Sequence, residues 1–182
     1  WLTTTVFAWY WHFKPMKSLL LVSRKEGLVD SPGNSASLFS KIDFFLKYLP
    51  GWMMPNFTRT KLRLTNEDNG SAITGESTTG DVARGDRKTC IALDEFASVD
   101  NSEAVLAATA DASNSRWFVS TPKGSGNSFY DIVHSGRTQV LSFHWSQDPR
   151  KNIGLTKDED GQLTSPWYEK EKRRRTHPVE IA

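Results

Sequence analysis

The sequence lacks several features that would place it in a common class of protein. It contains one cysteine, Cys90, so it cannot form an intramolecular disulfide, and a reducing compartment is expected. Its longest apolar stretch, Trp1 to Phe13, is interrupted by threonines and a histidine and is too short to span a bilayer. That stretch also has no basic first region and no small-residue cleavage site, so it does not indicate a signal peptide. No association with a membrane is predicted.

The sequence also has no strong excess of charge of one sign. It carries 23 basic and 21 acidic residues, a net charge of +2, so no global field draws the chain onto nucleic acid. Any contact with DNA must therefore be local. A length of 182 residues with 37% hydrophobic residues is enough for one globular domain with its own core.

A phosphate-binding loop is missing as well. The pattern G-x-x-x-x-G-K-[ST] does not occur in the chain. Gly80 and Gly85 have the glycine spacing of that loop, but Asp86 stands where the lysine should be. This stretch also precedes a predicted strand, whereas a phosphate-binding loop follows one. The absence is notable because "CIALDEFASVD", Cys90 to Asp100, has the form of an ATPase's metal-and-water site.

Hydrophobic periodicity predicts strands that alternate with helices. Asn69-Gly70, between two alternating runs, predicts a β-hairpin. Alternating strands and helices predict an α/β fold with a parallel sheet flanked by helices. The predicted strands lie in "KSLLLVSR", "TRTKLRLT", "SAITGEST", "TCIAL", "RWFVS" and "TQVLSFHW". The predicted helices are Leu2 to Phe13, "SASLFSKIDFFLKYLP", "SEAVLAATADA", "NSFYDIVHSG" and the charged tail that begins at "SPWYEK".

Polar residues follow three of these strands, where open α/β sheets bind their ligands. After a buried strand, the carboxylate of Asp94 can hold Mg²⁺ against a nucleoside triphosphate, and Glu95 can orient the attacking water. The alternative is a strand that merely surfaces into a charged loop. At the next strand end, the hydroxyls of Ser120 and Thr121 can sense the γ-phosphate, although ordinary turn chemistry also places such residues there.

Four stretches together resemble a known family. "SLLLVSRKEGLVD", "TGDVARGDR", "KTCIALDEFA" and "SRWFVSTPKGSGNSFY" are similar to the ATPase domain of the large terminase subunit of tailed bacteriophages. The resemblance implies a P-loop NTPase fold, in which the hairpin predicted at Asn69-Gly70 would be an insertion, and it implies ATP and Mg²⁺ as cofactors. Asp94-Glu95 match the family's Walker B pair, and Ser120-Thr121 match its coupling motif. Asp94 is thus expected to hold the metal, and Glu95 to be catalytic.

The same resemblance implies parts that lie outside this sequence. In the family, the phosphate-binding loop directly precedes a helix like Leu2 to Phe13, so the loop and its strand are expected upstream of Trp1. A nuclease domain is expected after Ala182. Residues 1–182 are accordingly interpreted as a partial, N-terminally truncated ATPase domain that is inactive by itself.

Family members carry an arginine shortly before the Walker B strand that acts on a neighbouring subunit's nucleotide. Arg84 in "VARGDR" matches that position best, with Arg87 as the competitor. Such an arginine finger stabilises charge in the transition state. The alternative is that both arginines only solvate a glycine-rich loop.

The resemblance also implies the partners of the complete protein. These are double-stranded DNA, a portal protein, a small terminase subunit and further copies of the chain in a ring, in the host cytoplasm at the procapsid portal. The basic run at Lys170 to Arg175 is interleaved with glutamates, which favours a solvated helix face over a DNA contact. Two rival functions remain: an ATPase related to helicases of the DEAD type, and a module that assembles or binds DNA without hydrolysis.

Overall fold

The computed structural model describes residues 1–78, 82–83 and 85–175 of the chain. The chain divides into two compact units, of which the first is Trp1–Ser120 and the second begins at Thr121. Among the described residues, no helix is long and apolar enough to cross a membrane.

Among its described residues, the first unit contains four α-helices and six strands. Its helices are α1 (Leu2–Phe13), α2 (Glu26–Val29), α3 (Leu38–Tyr48) and α4 (Ser102–Ala112). Its strands are β1 (Ser18–Ser23), β2 (Phe57–Thr60), β3 (Arg63–Asn66), β4 (Ala72–Ser77), β5 (Cys90–Asp94) and β6 (Arg116–Val119). Every predicted helix and strand up to Ser120 is confirmed, apart from the division of one strand described below.

The six strands form one mixed sheet in the order β2-β3-β4-β1-β5-β6. The neighbours β4, β1, β5 and β6 run parallel, and β2 and β3 are antiparallel additions at one edge. Nearly all residues of β1 and β5 are buried, which explains why these two strands read as continuous apolar runs. This is the predicted α/β fold with a parallel sheet and a β-hairpin insertion.

Helices α1 and α3 pack on one face of the sheet and bury the main core. The core side chains come from α1, α3, the end of α2 and alternate positions of the strands: Phe7, Trp11, Leu19, Leu21, Val29, Leu38, Phe39, Ile42, Leu46, Leu64, Ile73, Cys90 and Ala92. Since side chains alternate between the faces of a strand, Ser23 in β1 and Asp94 in β5 lie on this same face.

The hairpin predicted at Asn69-Gly70 also caps the end of α1. Gly70 adopts a positive φ of 72°, which its position in the turn requires. The side-chain amides of Asn66 and Asn69 donate to the carbonyl oxygen of Trp11, each at 3.1 Å. The last carbonyls of a helix have no partners within it, so the turn fixes α1 against the sheet.

The alternating run Thr58–Thr65 forms two strands instead of one. β2 and β3 pair with each other through a tight turn at Lys61 and Leu62, and Leu62 has a φ of 58°. The turn is anchored by Asp30, which accepts from the guanidinium of Arg59 at 2.9 and 3.0 Å and from the amide of Leu62. Period-two alternation continues across such a turn, so the sequence pattern did not reveal it.

Replacing Asp30 with alanine is expected to destabilise the protein by about 3 kcal/mol, because Arg59 and the Leu62 amide lose a buried acceptor. Asp43, which also binds Arg59 but is 45% exposed, provides the control, and Asp43→Ala should cost less than about 1 kcal/mol. Urea unfolding of both variants measures the difference. Equal losses would contradict the anchoring role of Asp30.

The pKa of Asp30 gives this anchor a pH dependence. Burial by itself raises the pKa, but hydrogen bonds from Arg59 and Leu62, together with nearby positive charge, outweigh burial and hold the pKa below its ordinary value. A carboxyl whose pKa is lower in the folded state stabilises the fold above its unfolded pKa. This contribution is therefore lost as the pH falls through the folded pKa.

The second unit contains two helices and a short antiparallel strand pair among its described residues. These are α5 (Ser128–His134), β7 (Thr156–Lys157), β8 (Leu163–Thr164) and α6 (Pro166–Arg174). Trp145 is buried and packs against the rings of Trp167 and Tyr168. The predicted helix at 127–136 and the beginning of the charged tail helix are confirmed, whereas Pro178 lies outside the described residues.

The predicted strand "TQVLSFHW", residues 138–145, is wrong. Residues 139–144 are irregular, and Trp145–Gln147 form a turn of 3-10 helix. Leu141 and Phe143 are 69% and 76% exposed. An apolar run becomes a strand only where a neighbouring strand pairs with its backbone, and in the described part of this unit β7 and β8 pair only with each other.

Candidate functional site

The candidate site lies at the carboxyl ends of β1, β5 and β6. These strands are parallel neighbours, so their ends meet at one edge of the sheet. Val22 is aligned with Leu93, and Asp94 with Val119. The residues at and just after these positions are polar: Ser23 and Arg24 at and after the end of β1, Asp94 and Glu95 at and after the end of β5, and Ser120 after β6. Three of the five predicted site residues, Asp94, Glu95 and Ser120, are thus brought together.

Asp94 is the last residue of β5 and is partly buried on the face covered by α1 and α3. Burial raises the pKa of its carboxyl group, and the neighbouring charge of Glu95 adds to this, while the positive charge of Lys41 opposes it. Asp94 lines a small cavity of about 50 Å³ that is also lined by Thr3, Thr4 and Lys41. A carboxylate in such surroundings gains most from a cation that replaces its lost hydration.

Glu95 does not share the surroundings of Asp94, because its carboxylate binds Arg24. Its backbone is left-handed, with φ 55° and ψ 34°, and a short 3-10 helix, Phe96–Ser98, follows directly. Its Oε2 accepts from the Nε of Arg24 at 2.8 Å. A left-handed non-glycine residue costs on the order of 1–3 kcal/mol, and such residues concentrate at functional sites. The two adjacent carboxylates are thereby given different environments.

Arg24 directly follows the last residue of β1. Its side chain and that of Glu95 are each 45% exposed, so the ion pair is worth roughly 0–1 kcal/mol. A pair this weak orients Glu95 without fixing it. Arg24 could have been found from its place after a buried strand, because the end of β1 adjoins the end of β5.

Lys41 is a second residue that sequence reasoning missed. It lies on α3 and lines the same cavity as Asp94. Its positive charge acts on the Asp94 carboxyl and favours the ionised form. No motif marks a lysine on the side of an amphipathic helix, so only the packing of α3 over the sheet reveals its position.

Ser120 connects the end of β6 to the turn after Glu95. Its hydroxyl oxygen accepts from the backbone amide of Ala97 at 3.1 Å. Thr121, the other hydroxyl residue of the predicted motif, is the first residue of the second unit and is exposed. The motif therefore spans the boundary between the two units of the chain.

Of the two candidate finger arginines, the structure describes only Arg87. Arg84 lies outside the described residues. Arg87 is exposed in the segment before β5. Near them, the backbone amide of Ala83 donates to the carboxylate of Glu76 at 2.7 Å.

Among the described residues, no group of three or more histidine, cysteine or carboxylate side chains can hold a metal by itself. Asp94 is instead a single carboxylate in a small polar-edged cavity. Mg²⁺ keeps several waters and is commonly held by one or two carboxylates together with substrate phosphates. The donor set at Asp94 fits that mode of binding.

Comparison with solved structures identifies the fold. The chain is similar to the large terminase ATPase domain of Thermus phage P74-26, with a TM-score of 0.61 and 18% identity over 98% of this chain and 79% of that one. It is similar to the large terminase of a thermophilic bacteriophage in complex with ADP, with a TM-score of 0.63 and 15% identity over 98% of this chain and 42% of that one. It is also similar to the large terminase of bacteriophage HK97, with a TM-score of 0.55 and 16% identity over 75% of this chain and 30% of that one.

These comparisons establish that the chain has the α/β fold of the ATPase domains of phage large terminases. The chain spans less than half the length of two of the three solved chains. No family model and no curated protein matches the sequence.

Proposed function

We propose that this chain is part of the ATP-hydrolysing motor that packages viral double-stranded DNA into procapsids. One observation carries the proposal. In a fold shared with phage terminase ATPase domains, two adjacent carboxylates end a central parallel strand and face different partners, Asp94 a cavity and Glu95 an arginine. Motors of this kind need one carboxylate for the metal and another for water.

Asp94 is the residue that would hold Mg²⁺ against the phosphates of ATP. The bound ion would supply positive charge that offsets the negative charge of the phosphates during hydrolysis. Burial of Asp94 strengthens its attraction for a cation, because the surroundings screen charge less than water does. Lys41 favours the ionised form of Asp94 and adds positive charge beside the phosphates.

Glu95 orients the water that attacks the γ-phosphate. In the structure its carboxylate is engaged by Arg24 across a weak, half-exposed ion pair. A bound nucleotide offers the guanidinium of Arg24 a more strongly charged partner, and Glu95 is then free to accept a proton from water. The left-handed backbone at Glu95 separates its side chain from that of Asp94, so one residue need not serve both tasks.

Ser120 and Thr121 transmit hydrolysis to the rest of the motor. The hydroxyl of Ser120 accepts a hydrogen bond from the amide of Ala97, two residues after Glu95. A shift of the 3-10 turn that follows Glu95 therefore displaces the end of β6. Thr121 continues directly into the second unit, and Pro122 stiffens the connection.

Replacing Ser120 and Thr121 together with alanine is expected to leave ATP affinity within a few-fold of normal and to stop DNA translocation by the complete motor. The reason is that the link to Ala97 is lost while both carboxylates remain. Nucleotide binding and translocation are measured in parallel, with exposed Ser35→Ala as the matched control. Unchanged translocation by the double variant would rule out the coupling role.

The remaining parts of the motor are proposed to lie outside residues 1–182. β6 is the outermost strand of the described sheet on its side, so a further parallel strand can pair along its free edge. We assign that place to the strand of a phosphate-binding loop upstream of Trp1, with a nuclease domain downstream. Arg84 acts on a neighbouring copy in a ring, and the portal protein and small terminase subunit are partners in the host cytoplasm.

Steady-state assays of the full-length protein test this function. We expect Mg²⁺-dependent phosphate release from ATP that increases with double-stranded DNA. Unwinding of a duplex without packaging would favour a helicase of the DEAD type. Binding of DNA or of further copies without any hydrolysis would favour the assembly module, and either result would overturn the proposal.

A further inference from the structure

Ser23, the last residue of β1, has a buried hydroxyl that finds no partner in the part of the chain that the structure describes. The residue is 1% exposed, and its Oγ makes no hydrogen bond to any described residue. An unsatisfied buried hydroxyl costs roughly 1–3 kcal/mol, so native structures contain few of them. The hydroxyls of other buried serines are engaged: Ser37 bonds to Ser40, and Ser71 bonds to the backbone of Lys14 and Lys17.

The position of Ser23 places this hydroxyl beside the candidate metal ligand. Val22 is aligned with Leu93, so Ser23 and Asp94 are the next residues on two adjacent parallel strands. Leu21 and Ala92, two residues earlier on each strand, both belong to the core under α1 and α3 and both line the cavity that Asp94 lines. Ser23 and Asp94 therefore lie on one face, about 5 Å apart by the spacing of neighbouring strands.

The geometry points to a new role for Ser23, which rests on the proposed function. We propose that Ser23 is a positioning residue of the Mg²⁺ site, whose hydroxyl hydrogen-bonds to the hydration shell of the ion that Asp94 holds. Mg²⁺ loses its waters reluctantly and usually keeps several of them in a protein site. Those waters need hydrogen-bond partners, and Ser23 supplies one that nothing else in the described structure uses.

If Ser23 has this role, Ser23→Ala should weaken metal binding without lowering the melting temperature. Removing an unsatisfied hydroxyl removes its desolvation cost, so the nucleotide-free protein should melt at the same temperature or higher. Losing an outer-shell partner typically weakens metal binding by 10- to 100-fold. A serine with only a structural role gives the opposite pattern, because its loss lowers stability and leaves metal binding alone.

The test uses the full-length protein with Mn²⁺ as the probe in the presence of ADP. Free Mn²⁺ is measured by electron paramagnetic resonance, and thermal unfolding is recorded without nucleotide. For Ser23→Ala we expect Mn²⁺ affinity to fall about tenfold with no loss of melting temperature. Ser71→Ala, which removes a bonded buried hydroxyl far from Asp94 in the fold, should lower the melting temperature and leave Mn²⁺ affinity unchanged.

Asp94→Asn separates failure of this inference from failure of the proposed function. If Asp94→Asn weakens Mn²⁺ binding and Ser23→Ala does not, Ser23 has no part in the metal site and the inference is overturned, while the proposed function stands. If neither variant changes Mn²⁺ affinity, the metal site itself is misplaced. A lower melting temperature for Ser23→Ala with unchanged Mn²⁺ affinity would show a purely structural serine.

Discussion

Replacing Glu95 with glutamine is expected to leave binding of ATP and Mg²⁺ intact and to slow hydrolysis by about 10³-fold in the full-length protein. The amide keeps the size and shape of the side chain but cannot accept a proton from the attacking water. Loss of a general base typically costs 10²- to 10⁴-fold in rate. Glutamine at this position also loses the ion pair with Arg24, but that pair is half-exposed and contributes little to stability.

The contrast with Asp94 makes this prediction specific. Asp94→Asn should weaken Mg²⁺-dependent nucleotide binding, because its carboxylate lines the cavity where the cation is placed. Nucleotide affinity and single-turnover hydrolysis are measured for both variants. Glu103→Gln, the same change at an exposed site in the first turn of α4, controls for loss of charge. Near-normal turnover by Glu95→Gln would contradict the assignment.

Replacing Arg84 with alanine is expected to reduce hydrolysis by about 10³-fold in the assembled protein, because a finger that stabilises transition-state charge is lost. We propose that Arg84 acts across the interface between two copies. Mixing Arg84→Ala with Glu95→Gln should then recover part of the activity. At a mixed interface, one copy supplies the arginine and the other supplies the glutamate.

Arg87→Ala is the comparison variant, since Arg87 lies three residues further along the chain and is the competing candidate. Phosphate release is measured for each single variant and for the mixtures, at concentrations where assembly is verified by light scattering. If ATPase activity recovers when Glu95→Gln is mixed with Arg87→Ala but not with Arg84→Ala, the arginine finger is Arg87 and not Arg84. No recovery in either mixture would indicate that both arginines act only within their own subunit.

Much of the first unit could be predicted from sequence because its elements repeat with a clear period. The helix predicted at residues 102–112 has the bounds of α4, and the buried run "TCIAL" became β5. Strands buried on both faces are continuous apolar runs, and helices that alternate with them indicate a parallel sheet. Once the parallel order is known, the meeting of Asp94, Glu95 and Ser120 follows, because each lies at or directly after the carboxyl end of β5 or β6.

The failures have physical causes as well. Residues 138–145 have the composition of a strand, but strand formation depends on a partner that local sequence does not specify. Lys41 lies at the site because α3 packs over the sheet, and no feature of the sequence around a lysine on a helix indicates that packing. That the Ser23 hydroxyl has no partner among the described residues is likewise a property of packing, since serine at a strand end is unremarkable in sequence.

The central claim is that this fold and this site belong to a DNA-packaging ATPase. The most direct measurement is protection of DNA from nuclease digestion after the full-length protein, procapsids of the same virus, double-stranded DNA and ATP are combined. The account predicts protected DNA with ATP, and none with a non-hydrolysable analogue or with Glu95→Gln. Equal protection by wild-type protein and Glu95→Gln, or no protection despite vigorous ATP hydrolysis, would contradict it.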